Sequence, residues 1–177
     1  MATYVIDPAE ATLSFAVRGL APTRGAFSGV TGSVVVDAAG DPRHLEVAIP
    51  ASSLTTGLSL RDAHLKSASF FDVRQYPVIT YASSAIERTG PHSFAVDGLL
   101  NLHGHERPVR LAVTLDPKGS GQAHVFGVAP RSAFAIPRNP FLSALMRLAI
   151  GDAVMVEAEI GGVFIREEGE TPVLATS

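Results

Sequence analysis

From Thr12 to Arg18 the side chains alternate: Leu13, Phe15 and Val17 fall on one face, and Thr12, Ser14, Ala16 and Arg18 on the other. A period of two is the period of a β-strand, so such a segment can bury one face only. The same period returns at Leu45, Val47 and Ile49, at Phe94, Val96, Leu100 and Leu102, at Val109, Leu111, Val113 and Leu115, and at Val154, Val156 and Ile160. Further strands are expected over 24–37, 78–87 and 124–134. Gly25, Gly29 and Gly32 inside the first of these imply bulges or strong coiling. Turn signals such as Asp41-Pro42 separate the strands, and no internal repeat is visible. Serial one-faced strands without intervening helices predict an all-β chain, an antiparallel sandwich or barrel. A closed barrel would also remove exposed strand edges.

The pattern breaks once, clearly, at Gly57 to Tyr81, GLSLRDAHLKSASFFDVRQYPVITY. Ser59 followed by Asp62 resembles a capping box, and Leu60, Ala63 and His64, with Leu65 beside them, fall at helical spacing, so a short helix is expected over about 59–66. Phe70 and Phe71 then set two rings side by side before Tyr76-Pro77 returns the chain to extended geometry. Two uses fit these residues. The helix and rings could plug one end of the barrel, or form a lid over an apolar cavity with Arg61, Asp62, His64 and Lys66 at its polar mouth.

A chain of 177 residues suits one domain, here 1–165, followed by a frayed tail at 166–177. With 14 basic against 17 acidic residues and a net charge of -3, there is no electrostatic footprint for nucleic acid. No cysteine is present, which removes disulfides, thiolate catalysis and cysteine metal sites. No apolar run is long enough to span a membrane. The opening MATYVIDPAE has neither a basic nor an apolar leader region, so a cytoplasmic location is expected.

Catalytic patterns find no match. GSGQAH at 119–124 leads into a strand and not a helix, so it reads as a hairpin turn, and no G-x-S-x-G elbow occurs. His103-Gly104-His105 has metal-like spacing but no third ligand nearby, and the glycine suits a turn, which is the preferred reading; no metal and no cofactor are expected. Arg18, Arg24 and Arg131 could each meet an anionic head group, but are expected at the surface with packed stems.

Four blocks carry a resemblance to a known family: YVIDPAEATLSFAVR, RGAFSGVTGSVVVD, TGLSLRDAHLKSASFFDVRQYPVITY and LNLHGHERPVRLAV. In this order, over Tyr4 to Ile160, they resemble the YceI-like family, the bacterial polyisoprenoid-binding proteins with a lipocalin-like barrel. The resemblance implies an elongated antiparallel closed barrel with a hydrophobic tunnel for a long isoprenoid or similar lipid, and no catalysis. By position, it implies Phe15, Val17, Phe27, Leu65, Phe70, Phe71, Tyr81, Leu111 and Val113 as tunnel wall, with Arg61, Asp62 and His64 at the mouth. Three features differ from the family pattern: Gly19 stands where members often have histidine, Ala133 replaces an aspartate, and IPRNPFLSALMRL is unlike the corresponding family segment.

That last segment predicts a second short helix, about 140–148, capped by Asn139 with Pro140 at its first position. Phe141, Leu142, Leu145, Met146 and Leu148 are more apolar residues than one helix face needs. The helix could cover the mouth, with Phe141 and Met146 as ligand wall, form a homodimer contact, or pack on the outer wall. The expected function is binding, with transport or storage, of an isoprenoid or quinone-like lipid. An enzyme acting on such a lipid, or a barrel used only as an interaction module, are the alternatives.

Overall fold

The alternating segments become antiparallel strands whose pairings close into a circuit. The computed structural model describes residues 1–17, 23–137, 139, 141 and 152–165, with 162–165 as backbone alone. Among the described residues the strands are β1 Ala2–Val17, β2 Thr23–Phe27, β3 Thr31–Val36, β4 Pro42–Pro50, β5 Val78–Arg88, β6 Ser93–Leu102, β7 His105–Leu115, β8 Gln122–Pro130 and β9 Ala153–Ile165. One α-helix, α1 Ser59–Lys66, lies between β4 and β5. The sheet order is β2-β1-β3-β4-β5-β6-β7-β8-β9, and β1 also pairs with β9. Both β2 and β3 pair with β1, the former against Leu13–Val17 and the latter against Ala2–Val5. They therefore share one position in a closed, eight-position antiparallel barrel of lipocalin-like form.

The expected strand over 24–37 is thus two strands in line. Gly29 between them has φ +68, a left-handed conformation that ends one ladder and lets the next begin at Thr31. The first strand is also longer than the alternation suggested. It carries a register shift between Ile6 and Ala11, where Ala9 N–H donates to Asp7 Oδ1 at 2.8 Å. At the other end of the chain, β8 stops at Pro130, and Arg131–Phe134 forms a 3-10 helix where strand was expected.

The pairings sort the connections onto two ends. Val17 opposite Thr23, Pro50 opposite Val78, Leu102 opposite His105 and Pro130 opposite Ala153 all belong to one end, which also carries α1. The turns between β3 and β4, β5 and β6, and β7 and β8 lie at the other. There Arg43 pairs with Asp37 and Arg88 with Asp41, and Arg88 sits 5.0 Å over the Phe94 ring. Phe94, Val96, Val113 and Val125 belong to one buried cluster inside the barrel.

α1 has its expected bounds, but its cap differs. Leu58 occupies the N-cap without a side-chain hydrogen bond, and Asp62 accepts from the backbone N–H of Thr56 at 2.8 Å and from the Thr55 hydroxyl at 3.1 Å. Three donors upstream hold the carboxylate, since the Thr56 hydroxyl also donates to it, so Ser59 and Asp62 do not form a capping box. The apolar face expected of Leu60 is absent as well: no residue of α1 is buried, and Leu60 is 90% exposed. Leu65 packs half-buried against the core, and polar tethers hold the start of the helix. The expected second helix and Met146 lie outside the described residues. At its start, Phe141 N–H donates to Asn139 Oδ1 at 2.9 Å, as an N-cap would accept it.

Candidate functional site

The inward faces of the strands do not meet at the centre. They leave a cavity of about 560 Å³, inside the range of about 300–1,000 Å³ usual for small-molecule sites. Its wall includes Phe15 and Val17 from β1, Phe27 from β2, Tyr81 from β5 and Leu111 from β7. α1 and the segment after it add Arg61, His64, Leu65, Phe70 and Phe71. Three rings form a continuous run along one side: Phe15 to Phe27 at 5.5 Å and Phe27 to Phe71 at 6.2 Å, the latter edge to face. The Phe15 ring lies over Gly25, where an added Cβ would come within 2.3 Å of Cζ; only glycine leaves room for the ring there.

The helix is fixed over this end by its neighbours. Arg61 Nε donates to the Thr56 hydroxyl at 2.7 Å and Nη2 to the Thr56 carbonyl at 2.8 Å, while Thr55 exchanges backbone hydrogen bonds with Ala26 of β2. The Thr56 hydroxyl, together with Thr56 N–H and the Thr55 hydroxyl, keeps the Asp62 carboxyl below the usual range. Behind the helix, Phe71 N–H returns to the Leu65 carbonyl at 2.9 Å and Asp72 N–H to Ser67 at 2.9 Å, which turns the two rings inward. Phe70 is buried with its ring edge-on to His64 at 4.8 Å. Phe71 is only half-buried and packs against both core clusters.

Three expected wall or mouth residues stand elsewhere. Val113 is packed in the core cluster with Phe94 and Val125 and does not line the cavity. Asp62 does not line the cavity, because its carboxylate is held by Thr55 and Thr56. Phe141 is 78% exposed and outside the wall. The wall also includes Leu100, Leu102, Val154 and Val156, whose alternation was visible, and Phe134 and Ile136, which follow β8.

Two polar residues differ from expectation or gain a role. Arg131 is buried, not at the surface; it lines the cavity and donates from Nη1 to the Ile136 carbonyl at 3.2 Å. Asp152 holds the same segment by accepting from Ser132 N–H and its hydroxyl at 2.9 and 2.6 Å. His103 is buried in the β6–β7 turn, with Nδ1 3.0 Å from the Phe134 carbonyl and its ring edge-on to Tyr76 at 5.0 Å. His103 thus fastens the 3-10 helix to the barrel rim, and His105 contacts the His103 carbonyl at 2.8 Å. No group of three or more metal-ligating side chains occurs among the described residues. Tyr81 is buried with its hydroxyl between the carbonyls of Val96 and Val109, at 3.1 and 3.0 Å. Burial, with a smaller contribution from the Asp97 charge, pushes its pKa up to about 12.

A family model for the YceI-like domain matches residues 4–161. The chain belongs to the YceI-like family. Among curated relatives, a UPF0312 protein of Pseudomonas savastanoi pv. phaseolicola is 32% identical over 123 residues, 67% of this chain and 64% of the relative. The chain therefore spans somewhat less than two thirds of that protein's length. Among solved structures, Burkholderia cenocepacia BcnA superposes with a TM-score of 0.76 at 25% identity, covering 88% of this chain and 98% of BcnA. A polyisoprenoid binding domain from Saccharophagus degradans gives 0.66 at 17% identity, covering 90% and 97%. At that identity, the likeness to the Saccharophagus domain is one of fold. This YceI-like chain keeps the barrel, and its cavity wall is built from its own aromatic run and α1.

Proposed function

We propose that this YceI-like protein binds a long isoprenoid or a related polyprenyl or quinone-like lipid in the barrel cavity, and carries or stores it without turnover. The observation that carries the reading is the wall itself: among the described residues nearly every lining residue is apolar, and none is Asp or Glu. A chain of isoprene units offers only apolar area, so its affinity comes from burial at about 25 cal/mol per Å². The polyisoprenoid binding domain of the same fold supports this choice of ligand. At about 30 Å³ per water-sized group, the cavity of about 560 Å³ takes roughly twenty such groups, or about four isoprene units. The basic lining residues Arg61, His64 and Arg131 all sit at the α1 end; in this reading the head group lies there and the chain follows the aromatic run.

Turnover would call for a polar cluster inside the wall. Among the described residues the Tyr81 hydroxyl is committed to backbone carbonyls and Arg61 to Thr56, so these polar groups serve the fold. Titration with retinol, a fluorescent isoprenoid, tests the reading. Saturable fluorescence enhancement at one site per chain, displaced by geranylgeraniol, is expected. No saturable enhancement, or chemical conversion of the added lipid, would overturn it.

A further inference from the structure

Among the described residues, nothing covers the outer surface of α1. Leu58 is 58% exposed and Leu60 90%, and no residue of the helix is buried. Phe141, 78% exposed, lies in the connection between Pro130 and Ala153 at the same barrel end. At this end the exposed charge of the described residues is one-sided. Arg24, Arg74 and Arg107 are exposed at this end and Lys66 is half-exposed, whereas Glu106 is the one exposed acid there among the described residues. Asp62 and Asp152 are taken up by Thr55, Thr56 and Ser132, and Asp72 is buried.

The contrast with the opposite end is direct. There Asp37 and Asp41 are matched by Arg43 and Arg88. A chain of net charge -3 thus carries a basic, apolar-tipped end beside its cavity. Apolar side chains that can enter an acyl layer, ringed by arginines that can meet phosphates, are the two components of reversible binding to an anionic lipid surface.

We propose that the α1 end docks on an anionic membrane surface, with Leu58 and Leu60 entering the interface and Arg24, Arg74 and Arg107 facing the lipid phosphates. The proposal rests on the cavity holding an apolar lipid. Such a ligand is nearly insoluble in water, and docking by the end that carries Arg61, His64 and Leu65 of the cavity wall allows it to pass between bilayer and barrel without crossing solvent. The net negative charge of the chain makes the binding oriented.

Flotation with phosphatidylcholine vesicles, with and without phosphatidylglycerol, tests this on the full chain. The protein is expected to float with the anionic vesicles, to lose that partition as salt rises, and to bind about tenfold more weakly as the double variant Leu58→Ser/Leu60→Ser. Neutralising Arg24, Arg74 and Arg107 with glutamine should remove the preference for phosphatidylglycerol. Retinol binding in solution, measured on every variant, reports folding and the cavity separately. Unaltered vesicle binding in the leucine variant, or a wild-type protein that binds retinol but never floats, overturns the docking and points to a protein partner for this end. Flotation without retinol binding overturns the cavity reading on which the proposal rests.

Discussion

Phe71→Ala separates a wall residue from a plug. A fully packed phenylalanine replaced by alanine costs about 3–5 kcal/mol, because both transfer energy and packing contacts are lost. Phe71 is half-buried, touches Phe27 edge-on at 6.2 Å and turns another side to the cavity. On that side no neighbour is lost, so the expected cost is about 2–3 kcal/mol, and for a chain of this size a fall in Tm of about 5–10 °C. Phe70 also borders the cavity but is buried and packed on His64, so a larger cost, roughly 3–5 kcal/mol, is expected of its alanine variant. Urea unfolding of the ligand-free proteins gives the energies, and displacement of retinol by geraniol, farnesol and geranylgeraniol gives the chain-length preference. Phe71→Ala should favour the longer chain more than wild type does. Equal destabilisation by the two variants with no change in length preference would refute the wall assignment.

Gly104 has φ +72, and a Cβ there would sit 2.6 Å from Tyr76 Cε1; Gly104→Ala should therefore cost about 1–3 kcal/mol in thermal or urea unfolding. The Asp62 carboxyl is held below its ordinary value of 3.8, chiefly by the Thr56 hydroxyl, so its contribution is present above that value and lost as pH falls through the lowered one. Hydrogen exchange across α1 should accelerate in that acid range in wild type, and Asp62→Asn should show no such pH step. Tyr81 is an acid whose folded pKa is raised to about 12, so its stabilising contribution is complete below about pH 10 and declines as pH rises towards the folded value. Tyrosinate absorbance should include a late step near pH 12 that Tyr81→Phe removes.

The strands were legible because a one-faced strand writes its burial directly into the sequence, as at Phe15 and Val17 or Leu111 and Val113. That period specifies a face and not a height along the barrel, which is why Leu111 lines the cavity while Val113, two residues on, is packed. The bounds of α1 were readable from spacing, but its cap was not: Asp62 is drawn to Thr55 and Thr56, a competition invisible in a three-residue motif. Pro130 is a usable stop signal for β8, four residues before the end that alternation suggests. Arg131 looked like a surface cation because its burial depends on Ile136 and on the segment held by Asp152, which no local pattern announces. Gly104 marks the turn at the histidine pair, but the tie of His103 to Phe134 spans 31 residues and no local pattern announces it.

Native mass spectrometry of the protein purified from its own host, followed by lipid extraction, tests the central claim most directly. A one-to-one adduct that leaves on collisional activation and is recovered as an intact isoprenoid or quinone-like lipid is expected. A protein that emerges at its bare mass under conditions that preserve retinol complexes, or one that carries a water-soluble polar ligand in its place, would contradict it.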